Sequence, residues 1–437
     1  MKRIAARFIV VLTMVFSLVN GCQCVGHDPD LFGYNNVLIL YSAGYNSLRD
    51  YLYGDIQELK EGYAPGLMDK NVFLIVSHLA KSRGDYSTVT YPQLIRVYQD
   101  RLSKAVVFDT LKTYMDGNLL TRKDDMNAVL SDIQQQFKAK HYGMVFSSHA
   151  SGWVPSGYYN HPSYYDYSSS APRKSASRTV LPSGAVPYFE PEEFPGAPEV
   201  KSLGICNQIE SGESVSYEMD IQEFAEALPM HFDYILLDAC LAGGVEVAYE
   251  LREKCDLVGF SQAEILADGF NYKNLASRLL EGLTPDPKAV LEDYYRQYAE
   301  KTNSDDRAAT ISLADCTKLE GLASICGTLF EKYRDSIASL DPDTVQRFYR
   351  SSRHWFYDLE DILVKAGISS EEKSSLRSAL DECIVYKAAT DEFLKHYGGF
   401  TINAFSGLTM YLPCNGSAYL DAFYKNLAWN EATLLVD

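Results

Sequence analysis

The chain has 437 residues, of which 46% are hydrophobic, so it can bury a large core and form two domains or one large domain with an appendage. Its formal charge of -18 at pH 7 argues against nucleic acids and anionic membrane surfaces as partners, because their phosphates would be repelled. The same charge favours cationic substrates.

The first residues have the order of a secretory signal. Three basic residues, Lys2, Arg3 and Arg7, precede an apolar segment at residues 8–19 that is too short to span a membrane. We therefore predict that residues 1–21 form a signal peptide and that the mature protein is exported.

Residues 19–22, VNGC, resemble a bacterial lipobox. In such a motif the cysteine, here Cys22, is lipidated and becomes the new N-terminus, and residues 22–34 would then form a tether. This predicts a periplasmic or cell-surface lipoprotein of the outer membrane, with free secretion as the alternative. No later segment reaches about 18 continuous apolar residues, so the only membrane link predicted is this anchor.

The nine cysteines do not form a recognisable metal or disulfide framework. They include no CxxC pair and no dense cluster, although one or two disulfides stay open in an oxidising compartment. His161 and Asp166 lack the spacing of metal ligands, so neither a metal nor a cofactor is predicted. The cysteines are at positions 22, 24, 206, 240, 255, 316, 326, 383 and 414.

From residue 35 onward, short apolar runs alternate with helix-like segments. The runs are apolar at successive positions, as is typical of strands covered on both faces, and this predicts an α/β fold with a mostly parallel sheet. The predicted strands are residues 36–42, 72–78, 105–110, 143–149, 233–239, 256–262 and 309–315, and the predicted helices between them include 123–140, 220–228 and 245–253.

Two regions depart from this alternation. Residues 151–218 are rich in Ser, Tyr, Pro and Gly, and a loop of this length within a compact domain is usually functional or disordered. After residue 316 the pattern becomes mainly helical, so we predict one domain over residues 35–315 and a second, mainly helical domain over 316–437. The second domain is predicted to contain helices at 319–340, 342–367 and 370–396, and a strand at 407–413.

Two of the predicted strands end in side chains that can perform nucleophilic catalysis. One ends at His149 and the other at Cys240, and both are followed by turns that contain glycine. Active sites of open α/β sheets form at the carboxyl ends of strands, where a thiol and an imidazole could make a catalytic dyad. A cysteine in an apolar run is more often a small buried hydrophobe, but the pairing with His149 favours chemistry.

The segment after Cys240 would assist a thiolate. If residues 245–253 are helical, Cys240 lies just ahead of a helix N-terminus, where unpaired N–H groups favour the anionic form. The backbone N–H of Cys240 itself is a candidate donor to an oxyanion.

Asp238 lies two residues before Cys240. Because side chains alternate along a strand, the two point to the same side, with Cα atoms roughly 6.5 Å apart. From the residues alone, this carboxylate could bind a cationic substrate side chain, pair with His149 or cap the next helix.

Three segments together resemble the clostripain family of cysteine endopeptidases (peptidase family C11, clan CD), which share a fold with caspases, legumains and gingipains. They are HASGW at 149–153, FDYILLDACLAGGVEVAYEL at 232–251 and VGFSQAEILADGFNY at 258–272. The resemblance covers most of residues 35–315 and implies a caspase-like α/β/α sandwich. It also implies that His149 and Cys240 are the catalytic pair, and that Asp238 and Asp268 are acidic residues of the S1 pocket.

The same resemblance implies cleavage after Arg or Lys and activation by autocleavage between the His and Cys strands. Candidate positions are Arg173, Lys174 and Arg178, with Lys201 further along. Ala150 would supply a second oxyanion donor, although related enzymes have glycine directly after the histidine. The expected partners are polypeptide substrates, and the enzyme is expected to be a monomer.

Two other interpretations remain. One is a surface-binding lipoprotein that keeps the fold without catalysis, which the presence of His149, Cys240 and Asp238 disfavours. The other is a caspase-like peptidase with a different P1 preference, which the acidic S1 candidates disfavour.

Overall fold

A computed structural model describes residues 33–115, 120–159, 178–180, 198, 200, 206–210, 213–350 and 355–437. Its centre is a nine-stranded mixed sheet in the order β13-β11-β10-β9-β5-β1-β2-β3-β4. Five adjacent strands, β2, β1, β5, β9 and β10, are parallel, and antiparallel strands extend the sheet at both edges. The strands of this sheet are β1 (Tyr34–Gly44), β2 (Asn71–Leu79), β3 (Gln93–Gln99), β4 (Val106–Thr113), β5 (Ala139–Ser147), β9 (Phe232–Asp238), β10 (Cys255–Phe260), β11 (Thr310–Asp315) and β13 (Ile384–Ala389).

The helices lie in two groups that flank the sheet. Contacts join α2, α3, α4 and α11 on one side, and α1, α5 and α6 on the other. The predicted caspase-like α/β/α sandwich with a helical C-terminal part is therefore confirmed. The helices are α1 (Arg49–Glu58), α2 (Lys123–Gln136), α3 (Ile221–Ala227), α4 (Val245–Leu251), α5 (Tyr272–Ala276), α6 (Pro287–Ala299), α7 (Leu319–Ala338), α8 (Leu359–Lys365), α9 (Ser370–Cys383), α10 (Ala418–Tyr424) and α11 (Ala428–Thr433).

The continuous apolar runs explain the centre of the sheet. In β9, FDYILLD, every residue except Asp233 is buried, because helices cover both faces of the strand. The prediction extended β5 to His149, but the strand ends at Ser147, so His149 lies in the loop that follows.

The C-terminal predictions need two corrections. The predicted helix 370–396 ends at Cys383, and Ile384–Ala389 instead forms strand β13, which pairs with β11 at the edge of the central sheet. The run Ile-Val-Tyr explains this switch, since β-branched and aromatic side chains favour strands. Most of the described part of the predicted helix 342–367 is also not helical, because only α8 and a single 3₁₀ turn at Pro342–Thr344 form among those residues.

Short strands complete the described structure. Part of the predicted long loop forms a small antiparallel sheet in the order β6-β8-β7, a local structure that its composition did not indicate. The predicted strand 407–413 is limited to β16. These strands are β6 (Arg178–Val180), β7 (Cys206–Glu210), β8 (Glu213–Tyr217), β12 (Tyr357–Asp358), β14 (Glu392–Phe393), β15 (Phe400–Thr401) and β16 (Thr409–Met410).

Several sequence predictions fall wholly or partly outside the described residues. The signal peptide, Cys22 and most of the tether belong to residues 1–32, and Arg173, Lys174 and Lys201 are also outside. Within the described ranges, no helix combines the length and hydropathy needed to cross a membrane. The same ranges contain no cluster of three or more His, Cys, Asp or Glu side chains suited to a metal ion. Six described cysteines, at 240, 255, 316, 326, 383 and 414, are free thiols.

Candidate active site

The structure brings the loops after β5 and β9 together. These strands are parallel neighbours, and their last paired residues are Ser147 and Asp238. His149 and Cys240 each follow two residues later, at the same edge of the sheet. Because neighbouring strands are about 4.8 Å apart, the two loops begin side by side at this edge.

Close backbone contact confirms that the two loops meet. Gly152, three residues after His149, has φ +61°, and a Cβ there would lie 2.4 Å from the carbonyl oxygen of Leu241. Glycine is therefore required at this position both for its conformation and for space. Leu241 itself has a positive φ of 57°, which is unusual for a leucine and marks a sharp turn directly after Cys240.

Cys240 is completely buried and contacts the segment 261–268, which follows β10. The backbone N–H of Ile265 donates to Cys240 Sγ at 3.1 Å, and the thiol lies 3.7 Å from the carbonyl oxygen of Ile265. Gly243 allows this segment to approach, since a Cβ there would lie 2.7 Å from the backbone nitrogen of Gln262. Helix α4 begins at Val245 as predicted, but four residues separate it from Cys240.

His149 is held by a residue that the sequence analysis did not identify. Ser47 Oγ lies 3.1 Å from His149 Nε2. Ser47 follows β1, whose carboxyl end is at the same sheet edge. The Ser148 hydroxyl donates to the Ala43 carbonyl at 2.8 Å, which links the His149 loop to the end of β1. The only signal for Ser47 in the sequence was its position after a predicted parallel strand.

A cavity of about 70 Å³ lies beside His149. Its lining includes Ala150 and Gly152 from the His loop and Ala239 and Ala242 from the Cys loop. The predicted oxyanion donor Ala150 therefore lines the same cavity as His149, whereas Cys240 does not line it. The role of Ala150 stays a prediction.

Glu218 forms part of the same cavity wall. Its carboxyl accepts hydrogen bonds from the Ser151 hydroxyl at 3.0 Å and the Gly157 backbone N–H at 2.7 Å. Burial raises the pKa of this carboxyl to about 8, despite those two bonds. Glu218 thus joins the end of the long loop to the segment that follows His149.

Glu218 leads to a prediction about pH and stability. The folded state keeps a proton that the unfolded state releases above pH 4.5, so this group's contribution is complete at low pH and is lost as pH rises to about 8. Glu218→Gln should therefore gain roughly 2–4 kcal/mol relative to wild type between pH 5 and pH 8. Urea unfolding at both pH values measures this difference, and the same difference at both pH values would contradict it.

Asp238 lies on the other face of the sheet from the cavity. Its Oδ2 accepts hydrogen bonds from the Tyr272 hydroxyl at 2.5 Å and the Ser147 hydroxyl at 3.2 Å, and its side chain is fully buried. After burial itself, the charges of Asp238 and Cys240 are the causes that raise the pKa of Tyr294. This common effect on a residue of α6 agrees with the predicted alternation, in which the two side chains point to the same side.

Three carboxylates affect one neighbouring phenol, that of Tyr298. Its pKa is raised chiefly by burial, next by the neighbouring Tyr294, and then by the charges of Asp268, Asp238 and Asp55. Asp55 on α1 is a further acidic residue that the sequence analysis missed. Asp268 is exposed while Asp238 is not, so in this state the two predicted S1 residues do not share one open pocket.

Part of the long loop covers this region. Val200 forms an antiparallel β-bridge with Leu266, two residues before Asp268, and both side chains are buried. Arg178, the one autocleavage candidate in the described residues, begins β6 and pairs with Tyr217 of β8.

A model of the clostripain family, peptidase family C11, matches residues 40–170 and 204–434 of the chain. The chain belongs to the clostripain family. The match confirms the predicted family. Clostripain-family proteins are cysteine peptidases. No curated protein matches the chain significantly.

Solved structures of clostripain-family proteins have the same fold over nearly the whole chain. An inactive zymogen C11 protease from Parabacteroides distasonis is 23% identical, with a TM-score of 0.69 over 92% of this chain and 98% of that one. A secreted C11 cysteine protease from Bacteroides thetaiotaomicron is 22% identical, with a TM-score of 0.68 over 92% of this chain and 99% of that one. A secreted C11 cysteine protease from the same organism, solved in complex with an irreversible peptide inhibitor, is 23% identical, with a TM-score of 0.68 over 92% of this chain and 99% of that one. At this identity the similarity establishes the fold.

Proposed function

We propose that the protein is an exported cysteine endopeptidase that cleaves peptide bonds after Arg or Lys. The main support is the contact between the His149 and Cys240 loops at the carboxyl ends of β5 and β9, where Gly152 lies against Leu241. Membership of the clostripain family gives this contact its chemical interpretation.

In the proposed mechanism, the Cys240 thiolate attacks the carbonyl carbon of the P1 residue. The backbone N–H groups of Cys240 and Ala150 stabilise the resulting oxyanion. His149 then protonates the leaving amine, which leaves a thioester that water hydrolyses. Since Ser47 holds Nε2, Nδ1 is the ring nitrogen that would exchange protons with the thiol and the amine.

The hydrogen bond between Ser47 and His149 leads to a prediction about turnover. Ser47→Ala removes a partner that orients the His149 ring, so we expect kcat to fall about tenfold while KM stays within twofold. Ser47→Thr keeps the hydroxyl and should restore most of the activity. Steady-state kinetics on one peptide amide measure both constants, and equal losses in the two variants would refute the orienting role.

The acidic residues support a preference for basic P1 side chains. Asp238, Asp268 and Asp55 all contribute to the negative potential at Tyr298. A Lys or Arg side chain that reached this region would be attracted by a charge-assisted contact. Access to Asp238 requires Tyr272 and the segment around Leu266 to move, and Val200 of the long loop contacts that segment at Leu266.

Autocleavage of the long loop would permit that movement. The bridge between Val200 and Leu266 supports this, because it places the end of the long loop against the segment that contacts Cys240. Among the candidates, Arg178 lies in a paired strand, which disfavours cleavage there, whereas Arg173, Lys174 and Lys201 belong to residues that are not described.

A panel of peptide amides tests the proposed specificity. The mature protein should cleave substrates that end in Arg or Lys, and the same peptides ending in Asn or Asp should be cleaved at least roughly 100-fold more slowly. Faster cleavage after Asn or Asp would favour a caspase-like peptidase of different preference. Absence of cleavage of every substrate would favour the non-catalytic lipoprotein.

The lipid anchor at Cys22 remains part of the proposal. It lies outside the described residues, and the secreted relative from Bacteroides thetaiotaomicron supports export in general. Cys22→Ala should move the protein from the membrane fraction to the soluble fraction, as an immunoblot of both fractions would measure. Equal membrane association of the variant would instead favour an anchor elsewhere, and a soluble wild type would favour free secretion.

A further inference from the structure

A buried ion pair joins the segment that contacts Cys240 to the C-terminal region. Arg350 Nε and Nη2 donate to Glu264 Oε2 and Oε1, both at 2.8 Å, so the contact is bidentate. The side chains are 1% and 0% exposed, respectively. A third guanidinium nitrogen, Nη1, donates to the carbonyl oxygen of Tyr397 at 3.3 Å, which fixes Arg350 to a second C-terminal segment.

Stability alone is a weak explanation for this pair. Removing two charges from water costs several kcal/mol for each ion, and the gain from pairing often only balances that cost. Burial raises the pKa of the Glu264 carboxyl, and the two hydrogen bonds from the guanidinium oppose this by stabilising the carboxylate. The pair does fix the position of Glu264, since a planar guanidinium binds a carboxylate in one orientation.

The position that it fixes is adjacent to the nucleophile. Glu264 directly precedes Ile265, whose backbone N–H donates to Cys240 Sγ at 3.1 Å. Consecutive Cα atoms are 3.8 Å apart, so a shift of the Glu264 backbone is transmitted to this hydrogen bond. An N–H that donates to sulfur favours the thiolate over the thiol.

Two more hydrogen bonds connect the C-terminal region to the segments beside Cys240. Gln262 Nε2 donates to the carbonyl oxygen of Gly407 at 2.8 Å. The Thr409 backbone N–H donates to the carbonyl oxygen of Gly243 at 2.8 Å, in the turn after Cys240. The C-terminal region therefore contacts both segments that enclose the sulfur.

We propose that Glu264 and Arg350 are positioning residues for Cys240, through which the C-terminal region holds the Ile265 N–H against the nucleophile. This inference rests on the proposed peptidase function only for its effect on turnover. The C-terminal region is then part of the catalytic unit, and separating it from the sheet would disable the thiol.

Two variants test the pair with two readouts. Glu264→Gln keeps the side chain's size but loses the charge, and it leaves the Arg350 charge buried alone, which endangers folding. The double variant Glu264→Gln with Arg350→Gln removes that lone charge. In both variants we expect kcat to fall about tenfold relative to wild type, while KM stays within twofold. We also expect the backbone amides of segment 261–268 to exchange hydrogen faster than in wild type.

A matched control separates positioning from general stability. Leu363→Ala creates a cavity in the C-terminal core on α8, which packs against α7 and α9. Assayed well below its unfolding temperature, it should keep wild-type kcat and wild-type exchange in segment 261–268. Arg350→Lys keeps the charge but not the fork geometry, and should have an intermediate kcat.

The outcomes distinguish the two proposals. A folded double variant with wild-type kcat and wild-type exchange would overturn the positioning role, as would Leu363→Ala producing the same losses. If wild type cleaves no peptide, the proposed function fails, and faster exchange in the double variant still supports the hold on Ile265. If wild type is active and exchange is unchanged in the double variant, only the further inference fails.

Discussion

Replacing Cys240 with alanine is expected to lower kcat/KM on Lys and Arg peptide amides by roughly 10⁴-fold or more, because the proposed nucleophile is removed. The substitution shortens a fully buried side chain by one atom, so its cost to folding is small. Initial rates with a fluorogenic amide, together with the unfolding temperature, measure both effects. Folded protein without activity is the expected result.

Cys255 offers a matched control for this experiment. It is also a fully buried thiol, at the start of β10, and its sulfur lies 3.8 Å from that of Cys316. Cys255→Ala should therefore remove a buried sulfur without removing activity. Loss of activity in both variants to the same degree would mean that burial, not nucleophilic chemistry, explains the Cys240 result.

The Cys240→Ala chain also tests autocleavage. Wild type should separate into two fragments on a denaturing gel, with the cut inside residues 151–218, and the variant should remain a single chain. An active wild type that stays intact would contradict autoprocessing and leave the peptidase proposal standing. Mass spectrometry of the fragments would identify the bond among Arg173, Lys174, Arg178 and Lys201.

The sequence was sufficient for the features that depend on local pattern. Apolar runs identify a strand such as β9 because burial on both faces requires continuous apolar residues. Position at strand ends singled out His149 and Cys240 as candidates, since the edge of a parallel sheet is where loops meet, and their catalytic roles stay a prediction. Alternation was also used to place Asp238 and Cys240 on one side, although β9 ends at Asp238, and both charges act on Tyr294.

Contacts between distant segments were beyond the same reasoning. Ser47 meets His149, and Arg350 meets Glu264, only because of how the fold brings their segments together. Strand β13 was mistaken for helix since its run follows a helix without a break and its partner, β11, is about 70 residues away. Whether Asp238 was open or buried also depended on Tyr272, a residue of another element.

Asp238→Asn should change substrate selection more than any other substitution near the site. We expect kcat/KM for Lys and Arg substrates to fall by about 10–150-fold, because a charge-assisted contact contributes roughly 1.5–3 kcal/mol. Asparagine keeps an oxygen that can accept from Tyr272 and Ser147, so the fold should survive. Cleavage rates with Lys, Arg, Asn and norleucine at P1 measure the change.

The pattern across these substrates decides between the roles considered for Asp238. A loss limited to Lys and Arg would support a contact with the P1 cation, whereas an equal loss with every P1 residue would support a role in orienting His149 or in the fold. Asp233→Asn is the control on the same strand, because Asp233 pairs with His141 at 3.0 Å near the surface. Since such exposed pairs contribute little, the control should match wild type on all four substrates. Burial is what makes Asp238 different, because a carboxylate shielded from water attracts a cation more strongly once Tyr272 moves aside to admit one.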